Sequence, residues 1–143
     1  MIHLVTLTLA GRDLCLDVAN VQDVIKLGEV TPVPRAAPWI AGVMNLRGHI
    51  VTAIDLRARL GLDAAKDDSK AMCVVVQLGG EAFGLIVDGV GDVIVIEDDM
   101  REPDPPTLEP QWRAVSRGVV RRDDALLLEI DAAALLAEER AAA

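Results

Sequence analysis

The amino-acid sequence is written twice. Shifted by 69 positions, Leu9–Ile25 lies on Leu78–Ile94, with Leu9/Leu78, Gly11/Gly80, Leu16/Leu85, Val18/Val87, Val21/Val90, Asp23/Asp92, Val24/Val93 and Ile25/Ile94 identical. Shifted by 76, Gly42-Val43 lies on Gly118-Val119, and Ile50-Val-Thr-Ala-Ile-Asp55 on Leu126-Leu-Leu-Glu-Ile-Asp131. The seven extra residues coincide with Glu102-Pro-Asp-Pro-Pro-Thr107, whose prolines favour an extended loop. Glycines, aspartates and apolar positions agree in one order, which marks a duplication. Each copy is only about 65 residues long, small for a core of its own, so the halves are expected to stabilise one another within one unit.

The periodicity within each copy is that of strands. Leu14-Cys-Leu-Asp-Val18 carries apolar residues at alternate positions, the period a pleated strand imposes. Gly11-Arg-Asp and Gly79-Gly-Glu are turn signals that join neighbouring strands into hairpins. Ile50-Val-Thr-Ala-Ile, Cys73-Val-Val-Val-Gln-Leu and Leu126-Leu-Leu-Glu-Ile are apolar runs of strand length. Helix is expected only after Asp55 and Asp131, each placed to cap a short helix that follows the last strand of its copy; the second would run over about 131–140. These features predict a mainly β chain of two small antiparallel barrels or strongly curved sheets.

Composition removes several function classes. Fourteen basic against 23 acidic residues leave a net charge of −9, which repels phosphate backbones and anionic membranes, and three aromatics provide few stacking platforms. Neither nucleic-acid binding nor membrane insertion is expected. No run of 18 apolar residues and no leader-like N-terminus is present, so a soluble cytoplasmic chain is the expectation. Cys15 and Cys73 read as buried small hydrophobes, and His3 and His49 complete no ligand spacing. Asp88–Asp99 has the length of a calcium loop but carries Val90, Val93 and Ile96 where ligands or glycine belong, and its apolar run demands a strand. Leu78–Gly84 has no following Lys-Ser/Thr for phosphate, and Ser69 and Ser116 lie in polar loop surroundings without a nucleophile elbow. The pairs Asp67-Asp68, Asp98-Asp99 and Asp123-Asp124 read as solvated loops. The chain is therefore read as a non-enzyme with no cofactor and no metal.

Features held by one copy only are the candidates for function. Asn45-Leu-Arg-Gly48 stands opposite Arg121-Arg-Asp-Asp124, and nothing in a shared fold requires the difference. The forked guanidinium of Arg47 can bridge carboxylates or carbonyls; its structural alternative is an ion pair to an internal acid such as Asp55. Thr31-Pro-Val-Pro-Arg-Ala-Ala-Pro-Trp39 has no counterpart, and Trp39 reads first as an apolar plug closing one barrel.

Asn20-Val-Gln-Asp-Val-Ile25, Thr31-Pro-Val-Pro, Pro38–Arg57 with its Gly-Val-Met-Asn-Leu-Arg-Gly and Asp-Leu-Arg runs, and Gly84–Val93 together resemble the CheW family of bacterial chemotaxis coupling proteins. The likeness runs from about Leu4 to Leu136. It implies two five-stranded SH3-like barrels within a single domain over 1–143. The first barrel is expected over about 8–66, and the second over about 68–136 with the first strand, 2–7, added. It also implies a scaffold that joins the cytoplasmic tips of chemoreceptors to the regulatory domain of a CheA-type histidine kinase. Receptor contact is implied for Val21, Asp23, Gly42, Asn45, Arg47 and Gly48, and for Val87 and Val90 on a facing second barrel. Kinase contacts are implied only loosely, at barrel ends, with no residue assigned. Two positions depart from the family pattern: Asp23 stands where Glu is usual, and Thr52 where Pro is frequent. The resemblance also admits a module of a CheA or CheV protein or of a non-flagellar pathway, while the start at Met1 and the charged end at Arg140 favour a free-standing protein, monomeric when free. An enzyme or metal binder built on the acidic loops is the rival from another class.

Overall fold

A computed structural model describes residues 1–67 and 69–137, so Asp68 and the expected helical residues 138–140 lie outside the described residues. The first copy runs through β1 (Ile2–Leu9), β2 (Arg12–Asp17), β3 (Val21–Lys26), β4 (Ile40–Leu46) and β5 (His49–Asp55) to a one-turn helix α1 (Leu56–Arg59). The second runs through β6 (Met72–Leu78), β7 (Glu81–Val87), β8 (Gly89–Ile96), a two-residue β9 (Arg101–Glu102), the short helix α2 (Pro110–Arg113), β10 (Ser116–Arg122) and β11 (Ala125–Ile130) to α3 (Ala132–Leu135). The mainly β class expected from the periodicity is what the chain adopts. Asp55 and Asp131 cap their helices as their placement predicts, each carboxylate accepting the N–H three residues on, from Ala58 at 3.3 Å and Ala134 at 3.2 Å.

Local chemistry sets the hairpins. β1–β2, β4–β5 and β6–β7 each leave two residues between the last facing pair. Those residues have positive φ in every case: Ala10 and Gly11 at 52° and 76°, Arg47 and Gly48 at 52° and 85°, Gly79 and Gly80 at 58° and 83°. This is the type I′ turn, whose twist matches that of the flanking strands.

The duplication survives in three dimensions down to single contacts. β5 pairs parallel to β7 with Thr52 facing Phe83, and β11 pairs parallel to β2 with Leu128 facing Leu14; each residue is the repeat mate of its counterpart. β4 shifts register between Ile40 and Gly42, and β10 between Ser116 and Val119. At both shifts a glycine admits the close approach of another chain segment. A Cβ on Gly42 (φ +150°) would lie 2.1 Å from the Thr31 carbonyl oxygen, and one on Gly118 (φ +119°) 2.7 Å from that of Glu102. Thr31 exchanges hydrogen bonds of 2.8 and 2.9 Å with Val43, and Glu102 faces Val119 in the register of β9 with β10. In each case the chain leaving one edge strand returns to the opposite edge and curves its sheet.

The compact units do not follow the expected boundary near residue 67. One unit is Asn20–Val90, with the sheet order β3-β6-β7-β5-β4; the other is Met1–Ala19 with the chain from Gly91 onward, ordered β8-β1-β2-β11-β10-β9. Each copy thus lends its whole first hairpin, β1–β2 or β6–β7, to the strands of the other copy, not the strand 2–7 alone. The physical reason lies in the repeat. A hairpin that can pair with its own copy offers the same apolar pattern to the equivalent strand of the other, so local sequence cannot choose between them. The Asn20–Val90 unit packs Met44, Val51, Cys73 and Val75 with Ile25, Leu27, Leu46 and Ala82. The other packs Leu4, Cys15, Ile96, Val120 and Leu127 with Ile2 and Ile94. Both cysteines are free and buried, and burial pushes each thiol up to about 12, with the nearby Glu129 carboxylate adding to the effect at Cys15.

Candidate functional site

The Asn45–Gly48 run divides its labour. Asn45 Oδ1 accepts the Gly48 N–H at 2.9 Å, and Gly48 supplies the second left-handed residue of the turn. Asn45 and Gly48 therefore build the loop, and what the loop displays is Arg47. Its side chain is 76% exposed, and its Nη1 lies 2.8 Å from Asp23 Oδ2 on β3, which is 21% exposed. That buried oxygen has no aligned hydrogen bond, so the pair is a charge contact, while Asp23 Oδ1 accepts the N–H of Val24 at 2.9 Å. The alternative partner, Asp55, is occupied as the cap of α1. A depression of about 380 Å³ borders this pair, lined also by Leu46, Ile50, Thr52, Gln77 and Ala82.

The remaining expected contacts fall elsewhere. Gly42 is buried at the bulge, where its backbone approaches Thr31, and Gly118 repeats that role, so Gly42 belongs to the fold. Val87, at the end of β7, has no exposed surface, and Val21 and Val90 are half-buried; none of the four lines the depression. Val87, expected on a facing second barrel, lies in the Asn20–Val90 unit with the first six, because the β6–β7 hairpin has joined the strands of the first copy; Val90 closes that unit but stands on β8, a strand of the other sheet.

The chain matches the family model described as CheW-like domain over residues 3–140. The chain belongs to the CheW family. It is 30% identical over 143 residues to Chemotaxis protein CheW of Rhizobium meliloti, covering 99% of this chain and 92% of that one. It is 31% identical over 129 residues to Chemotaxis protein CheW of Bacillus subtilis, covering 90% and 83%. Its fold is similar to the crystal structure of scaffolding protein TtCheW from Thermoanaerobacter tengcongensis, with a TM-score of 0.79, 33% identity, and coverage of 90% of this chain and 87% of that one.

Several residues of this CheW-family chain have roles that sequence reasoning missed or misplaced. Arg57, inside the Asp-Leu-Arg run, is a clamp: Nη2 reaches Asp88 at 2.7 Å and Nη1 the Asp63 carbonyl at 3.0 Å, tying α1 to the end of β7. Trp39 is half-buried rather than a sealed plug, with the Arg59 guanidinium 5.9 Å from the ring centroid. Ser116 opens strand β10 and donates to Asp104 at 2.5 Å instead of lying in a loop. Glu129 has no exposed surface and receives two hydrogen bonds from Arg101, at 2.6 and 3.0 Å, which hold the guanidinium above its usual pKa. The signal for Glu129 was present, a lone acid inside Leu126-Leu-Leu-Glu-Ile opposite Ala53 of the first copy, but its partner 28 residues away was not. The Asp88–Asp99 run forms strand β8 over Gly89–Ile96 as expected. Among the described residues, no group of three His, Cys, Asp or Glu side chains could hold a metal ion, and no helix is long and apolar enough to cross a membrane.

Proposed function

We propose that this chain is a non-catalytic cytoplasmic adaptor in chemotaxis signalling, joining the cytoplasmic tips of chemoreceptors to a CheA-type histidine kinase. The observation that carries the reading is Arg47. A type I′ turn built by Asn45 and Gly48 displays a mostly exposed guanidinium, whereas the equivalent turn of the other copy carries Asp123-Asp124. The fold itself accepts either charge at that position, and the guanidinium, held by Asp23 through one nitrogen, is left exposed for a partner. The names and titles of the relatives, chemotaxis proteins and a scaffolding protein, support the same reading. Receptor contact is assigned to Arg47 and Asp23, with Asn45 and Gly48 shaping the turn, Val21 and Val90 as flanking apolar surface, and Gly42 and Val87 as internal supports.

The mechanism is mechanical coupling through surfaces. An adaptor needs no reacting group; it needs a rigid frame that holds one partner's orientation relative to another. Strand pairing on both sides of the turn supplies that rigidity at the receptor face. Co-purification from the source cell tests the proposal: recovery of a CheA-type kinase and of receptor with the parent chain is expected. Retention of neither partner refutes it. A tight, saturable calorimetric response to calcium or magnesium would count for the rival reading of the acidic loops.

A further inference from the structure

We infer that two ion pairs act as addresses that assign each hairpin to its unit: Arg12 with Glu109 places β1–β2, and Asp88 with Arg57 places β6–β7. The apolar pattern is common to both hairpins. It cannot tell the exchanged assembly of this fold from one in which each hairpin stays with the strands of its own copy. Charge can. Arg12 Nη2 stands 3.1 and 3.3 Å from the two carboxylate oxygens of Glu109, and its guanidinium lies 4.8 Å from the ring centroid of the buried Trp112. Arg57 Nη2 reaches Asp88, the residue that leaves the second hairpin, at 2.7 Å, and the Arg57 side chain is only 19% exposed. Each pair joins a hairpin to strands far from it along the chain, so it forms only when the unit closes.

The duplication shows what the wrong hairpin would meet. The mate of Arg12 is Glu81: Leu9 faces Arg12 across its turn as Leu78 faces Glu81. The mates of Glu109 and Trp112 are Val33 and Ala36, and the two segments share a contact, Ala36 N–H to the Val33 carbonyl at 3.4 Å and Trp112 N–H to the Glu109 carbonyl at 3.1 Å. The mates of Asp88 and Arg57 are Ala19 and Ala133. With β6–β7 in the place of β1–β2, Glu81 would stand against Glu109, and Asp88 against Ala133. With β1–β2 in the place of β6–β7, Arg57 would face Ala19 and lose its carboxylate, and Arg12 would face Val33 and Ala36. Core volume points the same way. A Cβ on Gly84 would lie 2.8 Å from Met44 Cε, and the mate of Gly84 is Cys15, so β1–β2 would also crowd the core that Met44 fills. Both pairs are partly in water and add little to stability by themselves; their weight lies in the difference between the right and the wrong partner.

The test is methyl NMR of the full chain after refolding from denaturant. A contact between Leu14 and Leu128 reports the exchanged assembly, and one between Leu14 and Thr52 the own-copy assembly, since Thr52 faces Phe83, the mate of Leu14. The parent should show the first contact alone. Arg12→Glu with Glu81→Arg exchanges the first address, and Ala19→Asp with Ala133→Arg, at two exposed positions, gives the second address to both units. Combined in one fourfold variant, these changes should bring out the Leu14–Thr52 contact in at least about a tenth of the molecules. Arg12→Glu with Glu109→Arg reverses the first pair but keeps it, so that variant should show only Leu14–Leu128 and melt within a few degrees of the parent. A fourfold variant that keeps the exchanged assembly alone, with no more than a lower midpoint, refutes the addresses, and so does one that does not fold. A Leu14–Thr52 contact in the variant with the reversed pair refutes the role of Arg12 with Glu109.

Discussion

Replacing Arg47 by alanine separates what the turn does for the fold from what it does for a partner. At 2.8 Å from Asp23, two unit charges attract by about 1.5 kcal/mol in a medium as polarisable as water. Three-quarters of the Arg47 side chain is in that medium, and ordering a long side chain offsets part of the gain, so the pair contributes roughly 0.5–1 kcal/mol. Alanine keeps a side chain at the same left-handed φ, so backbone strain at the turn cancels in the comparison. For a chain of this size the loss corresponds to a fall in the thermal midpoint of about 2–4 °C, readable by calorimetry. An exposed arginine at the centre of a docking surface costs more when removed, about 1–2 kcal/mol, or roughly five- to thirtyfold in affinity for receptor fragment. The two measurements should therefore diverge. A midpoint that falls by 10 °C or more, or an affinity for receptor fragment that does not change, refutes the assignment of Arg47 to function.

Three further outcomes follow from other contacts. Gly42→Ala should lower stability by about 2–5 kcal/mol in denaturant unfolding, because its Cβ must displace the Thr31 backbone; Gly118→Ala should cost less, its nearest atom standing at 2.7 Å rather than 2.1 Å. Glu129→Ala should cost about 1–3 kcal/mol by removing two of the charged hydrogen bonds of Arg101, which keeps only Asp98 at 3.0 Å, and the double replacement Glu129→Ala with Arg101→Met should recover most of it, since the equivalent of Glu129 in the other unit is the buried Ala53. Cys15 and Cys73 should resist alkylation until the chain unfolds. Because burial raises both thiols from 9.0 to about 12, the stabilisation they carry is complete below pH 9, where both states are protonated, and is lost as pH rises from 9 towards 12, where only the unfolded chain ionises. Chemical denaturation at pH 8 and pH 10.5 reads this directly, and equal stabilities at the two values would contradict it.

What the sequence determined by itself is whatever depends on near neighbours. Alternating apolar residues make the strands, paired left-handed positions make the hairpins, and Asp55 and Asp131 cap helices whose first turns lie just beyond them. The duplication was visible because both copies must satisfy the same local demands, down to the glycines at the two bulges. The Asn45–Gly48 turn was visible for the same reason, as the place where one copy departs from the other. Choices between equivalent partners were left to the tertiary structure. Whether β6–β7 joins β3–β5 or stays with its own copy involves the same apolar pattern either way, so only closure of the complete sheet decides it, and with it the unit that holds Val87. Arg47 had acids such as Asp55 within reach on paper; the fold spends Asp55 on a helix cap and brings Asp23 of β3 to 2.8 Å instead. Glu129 announced a buried charge, but a partner 28 residues away along the chain became its neighbour only when β9 was laid against β10.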